Sequence, residues 1–233
     1  MSFTSVFVYK CVKCHKVLDA YGALCDECLL KLKKETMLPC TKCGVQHNSC
    51  ACRIQRDKSG IVHSCAHVAP YLKSGVTHKL ICTAKAVKND ALFDYMALAL
   101  ADRARRAFMN ADIIVNVPRS FVRRRKYGFD QTKEVAKRLA ALLGIEYVCA
   151  LKHRGVRSQK KLGLFMREKN ASSAFSINKK YLDILKNKRV ILYDDLTTSG
   201  ATARACVKIL QEAGVLCVYF LSFAKTDNIN NIK

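Results

Sequence analysis

Acidic side chains are scarce in this chain. Eighteen Asp and Glu stand against 41 Lys and Arg among 233 residues, a formal charge of +23. Residues 1–70 carry ten of the basic and five of the acidic groups, so 31 and 13 fall on the remainder. That surplus exceeds what solubility asks for and favours a polyanionic partner. No apolar run reaches the roughly 18 residues of a transmembrane helix. The opening MSFTSVFVYKCVKC lacks a basic start followed by a long apolar stretch, so no signal peptide is expected and a cytoplasmic protein is the default. Internal repeats and low-complexity tracts are also missing. So are the Gly-Lys pair that closes a Walker A loop and the G-x-G-x-x-G dinucleotide fingerprint.

What is present begins with cysteine. Eight of the 13 lie between Cys11 and Cys52; the others, Cys65, Cys82, Cys149, Cys206 and Cys217, are scattered. Clustered cysteines without a secretory leader point to metal rather than to a disulfide framework. CVKCHKVLDAYGALCDEC sets Cys11, Cys14, Cys25 and Cys28 as two C-x2-C knuckles, the pattern of a closed four-thiolate zinc site. CTKCGVQHNSCAC follows with Cys40, Cys43, Cys50 and Cys52. Gly44 suits the tight turn of a knuckle. The closing pair there is C-x-C, so His47 can replace a cysteine, or one site can borrow from both sets. His15, His63 and His67 are expected at the surface or in turns. Such a head has too few large apolar residues to fold by burial alone, so metal is expected to supply the energy.

Beyond residue 66 strand and helix patterns alternate. ALFDYMALALADRARRAF (91–108) has the period of an amphipathic helix, and DIIVNVP (112–118) reads as a buried strand. QTKEVAKRLAALLG is a helix with Asp130 as N-cap and Gly144 as stop. IEYVCAL (145–151), RVILYDD (189–195) and VLCVYFLSFA (215–224) are further strands, with the helix ATARACVKILQEAG before the last. The alternation predicts a parallel α/β sheet. Ligands in such sheets bind beyond the carboxyl ends of the strands. Three segments leave those ends: RSFVRRRKYGFDQ, KHRGVRSQKKLG and DDLTTSGAT. In the last, two adjacent carboxylates, Asp194 and Asp195, precede a turn of small hydroxyl residues that opens a helix. Free amides and hydroxyls there can surround an anion. A phosphate cradle beside two carboxylates suits a sugar phosphate, whose hydroxyls, with a hydrated Mg²⁺, would share the charge.

VILYDDLTTSGAT resembles the signature of type I phosphoribosyltransferases, which bind phosphoribosyl pyrophosphate (PRPP). The double C-x2-C head, VPRSFVRRRKYGFDQ and RSQKKLGLFMREKNASSAF extend the resemblance over nearly the whole chain to the ComF family of competence proteins. Asp130 stands where that family usually has Asn, and Asn116 where a small or apolar residue is usual. The resemblance implies an α/β fold: a type I phosphoribosyltransferase-like parallel sheet flanked by helices, preceded by a small zinc-ribbon-like domain. The head would span 1–60 and the phosphoribosyltransferase-like domain 66–233, with residues 66–108 as its hood. Asp194 and Asp195 would hold the ribose hydroxyls and stabilise the reacting centre. Thr197, Thr198, Ser199, Gly200, Ala201 and Thr202 would wrap the 5′-phosphate. Arg119, Ser120, Arg157 and Lys161 would meet the pyrophosphate, with Mg²⁺. The family's role lies in natural transformation, with single-stranded DNA and other competence proteins as partners at the cytoplasmic side of the inner membrane.

Five cations, Arg119, Arg123, Arg124, Arg125 and Lys126, alternate with Phe121, Tyr127 and Phe129, the mix that grips single-stranded nucleic acid. No base-reading constellation stands out in residues 66–108, where Phe93 and Tyr95 have the spacing of core residues. A phosphoribosyltransferase of nucleotide metabolism with a purely structural zinc head is therefore the rival reading. A relic scaffold that docks proteins through its head is a third.

Overall fold

The computed structural model describes residues 8–40, 43–50, 62–154 and 173–226. The head opens with a small hairpin, β1 (Tyr9–Lys10) and β2 (Val17–Leu18), whose turn is the first C-x2-C, followed by α1 (Asp26–Thr36). Then come β3 (Val62–Pro70), α2 (Val76–Ala86), α3 (Asp90–Arg106), β4 (Ile113–Asn116), α4 (Phe121–Tyr127), α5 (Gln131–Leu143), β5 (Glu146–Tyr147), β6 (Leu151–His153), β7 (Phe175–Ile177), β8 (Arg189–Thr197), α6 (Ala201–Glu212) and β9 (Cys217–Lys225).

Five strands form one sheet in the order β3-β9-β8-β4-β5, every pairing parallel. Alternate residues of β8 face opposite layers. Ile191 and Tyr193 pack with Leu92, Met96, Val135 and Leu139 of α3 and α5, while Val190 and Leu192 pack with Cys206, Val207 and Leu210 of α6. Val12, Leu24 and Leu32 of the cysteine-rich segment belong to the same buried cluster as Leu80 and Ile81 of α2, so the two parts share a core. Asp130 caps α5 by accepting from the Thr132 and Lys133 amides, and Gly144 ends it at φ 68°, as its sequence predicts.

Three segments differ from the sequence reading. The strand β3 was not foreseen: VHSCAHVAP has small residues in place of bulky β-formers, with Ala66 and Ala69 buried against its neighbours. IEYVCAL is not one strand. Only Glu146–Tyr147 pairs with β4; the chain then turns, and Leu151–His153 joins β7 in a separate antiparallel hairpin. The basic loop after β4 contains a helical segment, α4, because Arg and Lys favour helix and Gly128, at φ 78°, supplies a left-handed cap.

From β4 the chain runs outward to β5 and then returns to β8 on the other flank of β4. Strand order reverses between β4 and β8, and open parallel sheets bind ligands beyond the carboxyl ends at such a point.

Candidate functional site

At that reversal a cleft of ≈ 490 Å³ opens, lined among others by Lys85, Pro118, Arg119, Ser120, Arg123, Gln131, Asp194, Asp195 and Thr202. Strand pleating sends the two aspartates to opposite faces of β8. Asp195 is buried; Gln131 Nε2 donates to its Oδ2 at 2.8 Å, and Lys85 Nζ lies 3.2 Å from its Oδ1. Asp194 Oδ1 accepts the Asp195 amide at 2.8 Å. Burial pushes the Asp194 carboxyl well above the ordinary carboxylate range. The neighbouring Asp195 adds to this, and Lys85 opposes it only in part. The chain itself therefore supplies a counter-ion for Asp195, which the sequence reading had sought outside it. Ionised Asp194 is left in poor surroundings.

Arg119 presents the reverse problem. Its side chain is buried, its amide donates to Asp130 Oδ2 at 2.9 Å, and its Nη2 donates to the Lys85 carbonyl at 2.7 Å. The guanidinium stacks on Tyr127, 4.4 Å from the ring centroid, with Phe129 at 5.7 Å. Nε and Nη1 are buried without a hydrogen-bond partner among the described residues, and so are Gln131 Oε1 and Thr197 Oγ1. Buried donors on a charged group cost free energy unless an acceptor meets them. These orphans border one region, the cleft and the loop beside it.

That loop begins at Thr197. Gly200, at φ 77°, is the left-handed N-cap of α6, a conformation in which a Cβ is strained. Asp194, Thr197, Thr198, Gly200, Ala201 and Thr202 line a recess of ≈ 30 Å³ at the amino end of α6, where helical amides lack intrahelical partners. Ser199 accepts from the Ala201 amide at 3.5 Å, and its carbonyl accepts from Arg204 at 3.0 Å.

Of the sequence-derived cations, Arg119 and Arg123 line the cleft, whereas Arg124, Arg125 and Lys126 stand exposed on α4. Phe121 and Val122 are also exposed, 58% and 73%. Tyr127 and Phe129 do not project with them; both turn inward onto Arg119. Arg157 and Lys161 lie outside the described residues. Sequence reasoning missed Lys85, Thr132, His153 and Phe175, and it gave Gln131 no role although that residue closes the GFDQ stretch. Asn116, an oddity in the sequence, braces the end of β4: it donates to Thr132 Oγ1 at 3.1 Å and accepts from Tyr147 at 2.8 Å.

In the head, the sulfurs of Cys11, Cys14, Cys25 and Cys28 lie within 4.8 Å of one another. Burial pushes the Cys11 thiol up, but the backbone N–H groups of Cys14, Cys25 and Lys13 outweigh it and bring it down to about 6. Burial and the neighbouring thiols push Cys28 up. Four thiols in this arrangement fit a tetrahedral metal ion. The sulfurs of Cys40, Cys43 and Cys50 form a second group, three thiols also within 4.8 Å of one another, while Cys52 lies outside the described residues. The two knuckles share one backbone pattern. His15 N donates to Cys11 O and Cys11 N to Lys16 O; Gly44 N donates to Cys40 O and Cys40 N to Val45 O, all at 2.8 Å. His15 is exposed as expected. His67 is not: it is buried, with its Nε2 2.8 Å from Nδ1 of the equally buried His47.

No family model matches the chain, and no curated protein matches it significantly. Among solved structures it is similar to an allosteric regulatory enzyme of purine biosynthesis, with 19% identity and TM-score 0.42 over 61% of this chain and 30% of that one. It is also similar to the glutamine PRPP amidotransferase from B. subtilis complexed with ADP and GMP, with 20% identity and TM-score 0.43 over 61% and 30%. For a purine phosphoribosyltransferase from Pyrococcus horikoshii Ot3 the values are 21% and 0.36 over 57% and 73%. The chain thus spans 30% of the length of the first two.

Proposed function

We propose that the cleft binds PRPP with Mg²⁺. The observation that carries this reading is Arg119: a buried guanidinium with two N–H groups that have no partner among the described residues, sharing one cleft with two carboxylates and a recess at the start of a helix. Pyrophosphate oxygens satisfy the guanidinium, with Ser120 beside it and Arg157 and Lys161 brought from the segment after β6. Asp194 and Asp195 accept the ribose 2′- and 3′-hydroxyls, and residues Thr197 to Thr202 hold the 5′-phosphate. As the bond from C1 to pyrophosphate lengthens, positive charge develops on the sugar and the aspartates stabilise it. Bound Mg²⁺ supplies neutralisation of the pyrophosphate. The head, whose four-thiolate set suits zinc, is structural, because a closed thiolate shell leaves no open position for chemistry.

Within that reading the chain is a ComF-like protein of natural transformation, with a 1–60 head and a 66–233 domain. It handles single-stranded DNA at the cytoplasmic side of the inner membrane. This part is favoured by α4, which leaves four cations and Phe121 exposed at the cleft's rim, cations for phosphates and a ring for a base. No helix among the described residues is long and apolar enough to cross a membrane.

Calorimetric titration of PRPP with Mg²⁺ tests the first claim, and absence of binding sinks it. A pyrophosphate-release screen against bases, nucleosides and oligonucleotides then identifies the acceptor. Failure to bind single-stranded DNA at about 0.1 M salt would return the protein to nucleotide metabolism.

A further inference from the structure

The helix α2 connects the head to the cleft, and both of its ends are held by other elements. Its N-cap is Gly75, which has no side chain to satisfy the first amides. Glu35, at the end of α1, does so instead. Its Oε1 accepts the Val76 amide at 2.6 Å, and its Oε2 accepts the Thr77 amide at 3.1 Å and the Thr77 hydroxyl at 2.8 Å. A Cβ on Gly75 would lie 2.8 Å from that carboxylate, so glycine makes room for the visiting cap. Lys13, inside the first cysteine knuckle, donates to the carbonyls of Ser74 and Gly75 at 2.9 and 3.2 Å. Ten residues after Gly75, about 15 Å along the axis, the same helix presents Lys85. The ammonium of Lys85 is the ion-pair partner of Asp195, and its carbonyl is the only acceptor recorded for the Arg119 guanidinium among the described residues.

We propose that Glu35 is a positioning residue for the cleft, acting through α2. By capping the helix it fixes the rotation and depth at which Lys85 meets Asp195 and receives Arg119. Lys85 is then a further cation at the ligand, facing the pyrophosphate alongside Arg119. The proposal rests on the reading of the cleft as a PRPP site, yet its mechanical part is separable from that reading. Local packing alone does not require a head carboxylate to influence a pocket at the far end of a helix, and this is the point on which the idea can fail.

The test uses the full-length, metal-loaded protein carrying Glu35→Ala, Lys85→Ala or both, with Lys34→Ala as a surface control from the same helix. PRPP with Mg²⁺ is expected to bind about tenfold more weakly to Glu35→Ala, about 1.4 kcal/mol. Lys85→Ala should lose more, and the double variant no more than Lys85→Ala alone, because both changes act on one path. Glu35→Gln, which keeps an oxygen for the Val76 amide, should recover part of the loss. Independent effects that multiply in the double variant, or an unchanged affinity in Glu35→Ala, overturn the proposal. Amide hydrogen exchange supplies the readout that does not need PRPP. In Glu35→Ala, protection should fall through residues 76–86 and 117–120 and stay constant in 201–212, which reaches the same cleft through Thr202. A uniform fall, or none, also overturns the coupling. If the unaltered protein ignores PRPP while exchange follows the expected pattern, the ligand has been misread and the coupling stands.

Discussion

The head and the cleft pose opposite electrostatic problems. The head collects thiols, groups of one prospective charge, from residues 11–28 and 40–50. Lys225 Nζ, 3.6 Å from Cys40 Sγ, brings one protein cation to the second group, and a bound metal ion would supply the rest of the balance. The cleft collects both signs from segments as far apart as Lys85 and Thr202. It balances Asp195 internally with Lys85 and Gln131, and leaves Arg119 and Asp194 unbalanced. A metal site of the first kind contributes folding energy when filled. A site of the second kind is tolerable when empty and holds its unsatisfied groups in readiness for a ligand.

The largest expected effect therefore follows from breaking the head. Cys28 is buried in the cluster that also holds Leu32 and Leu80. Cys28→Ser should remove one equivalent of metal and cost several kcal/mol, since metal affinity in such sites is folding free energy. At this chain length the thermal midpoint should drop by about 10 °C or more. Metal content by mass spectrometry and a thermal melt decide it; an unchanged melt would show that the head stands without its ion. Cys43→Ser, in the second knuckle, provides the internal comparison: the same backbone hydrogen bonds, but only three described thiols.

Breaking the cleft should cost little stability. Arg119→Ala removes two buried donors that have no partner among the described residues, against one hydrogen bond to the Lys85 carbonyl and the stack on Tyr127, so the unliganded protein should melt within a few degrees of the parent. Its affinity for PRPP should fall about a hundredfold, roughly 3 kcal/mol for two charge-assisted hydrogen bonds at about 1.5 each. Arg119→Lys should not restore it, because an ammonium cannot occupy the planar slot on Tyr127 and present the same fork. Full affinity in the lysine variant would mean that charge alone is being read.

The same contrast explains what was legible in the sequence. Metal ligands must lie close together, and a knuckle closes over two intervening residues, so spacing reveals them. Gly44 marked one turn, and its counterpart in the other knuckle, His15 at φ 64°, carries no such mark. Asp130 and Gly144 bounded α5 because caps are local chemistry. The loop from Thr197 to Thr202 was legible for the same reason. Lys85 was not: its partner lies 110 positions away, and nothing in ICTAKAVKND separates it from any surface lysine. His67 misled because histidine is usually exposed, and only the packing of β3 against the head reveals the imidazole of His47 waiting for it. IEYVCAL misled because its apolar content fits two short strands as well as one long one.

The smallest predicted effect is the most discriminating. A carboxyl whose proton is held above the ordinary value in the folded state destabilises that state once it ionises. The unfolded chain gives up the Asp194 proton near pH 3.8, and the folded chain keeps it to higher pH. Between those limits the folded state binds more protons, so stability falls as pH rises. Asp194→Asn removes the titration. At pH 7 the unliganded variant should melt higher than the parent by a few degrees, about 1 kcal/mol at this size. The difference should shrink toward zero only as pH falls below 3.8, where both carry a neutral side chain in the folded and unfolded states. PRPP should raise the melting temperature of the parent more than that of the variant, since asparagine offers the ribose hydroxyls a neutral acceptor in place of a carboxylate. A variant that is more stable when empty and less responsive to ligand is what a cleft built around unpaid charge requires. A variant less stable at every pH would place Asp194 among the structural groups and return it to the company of Cys28.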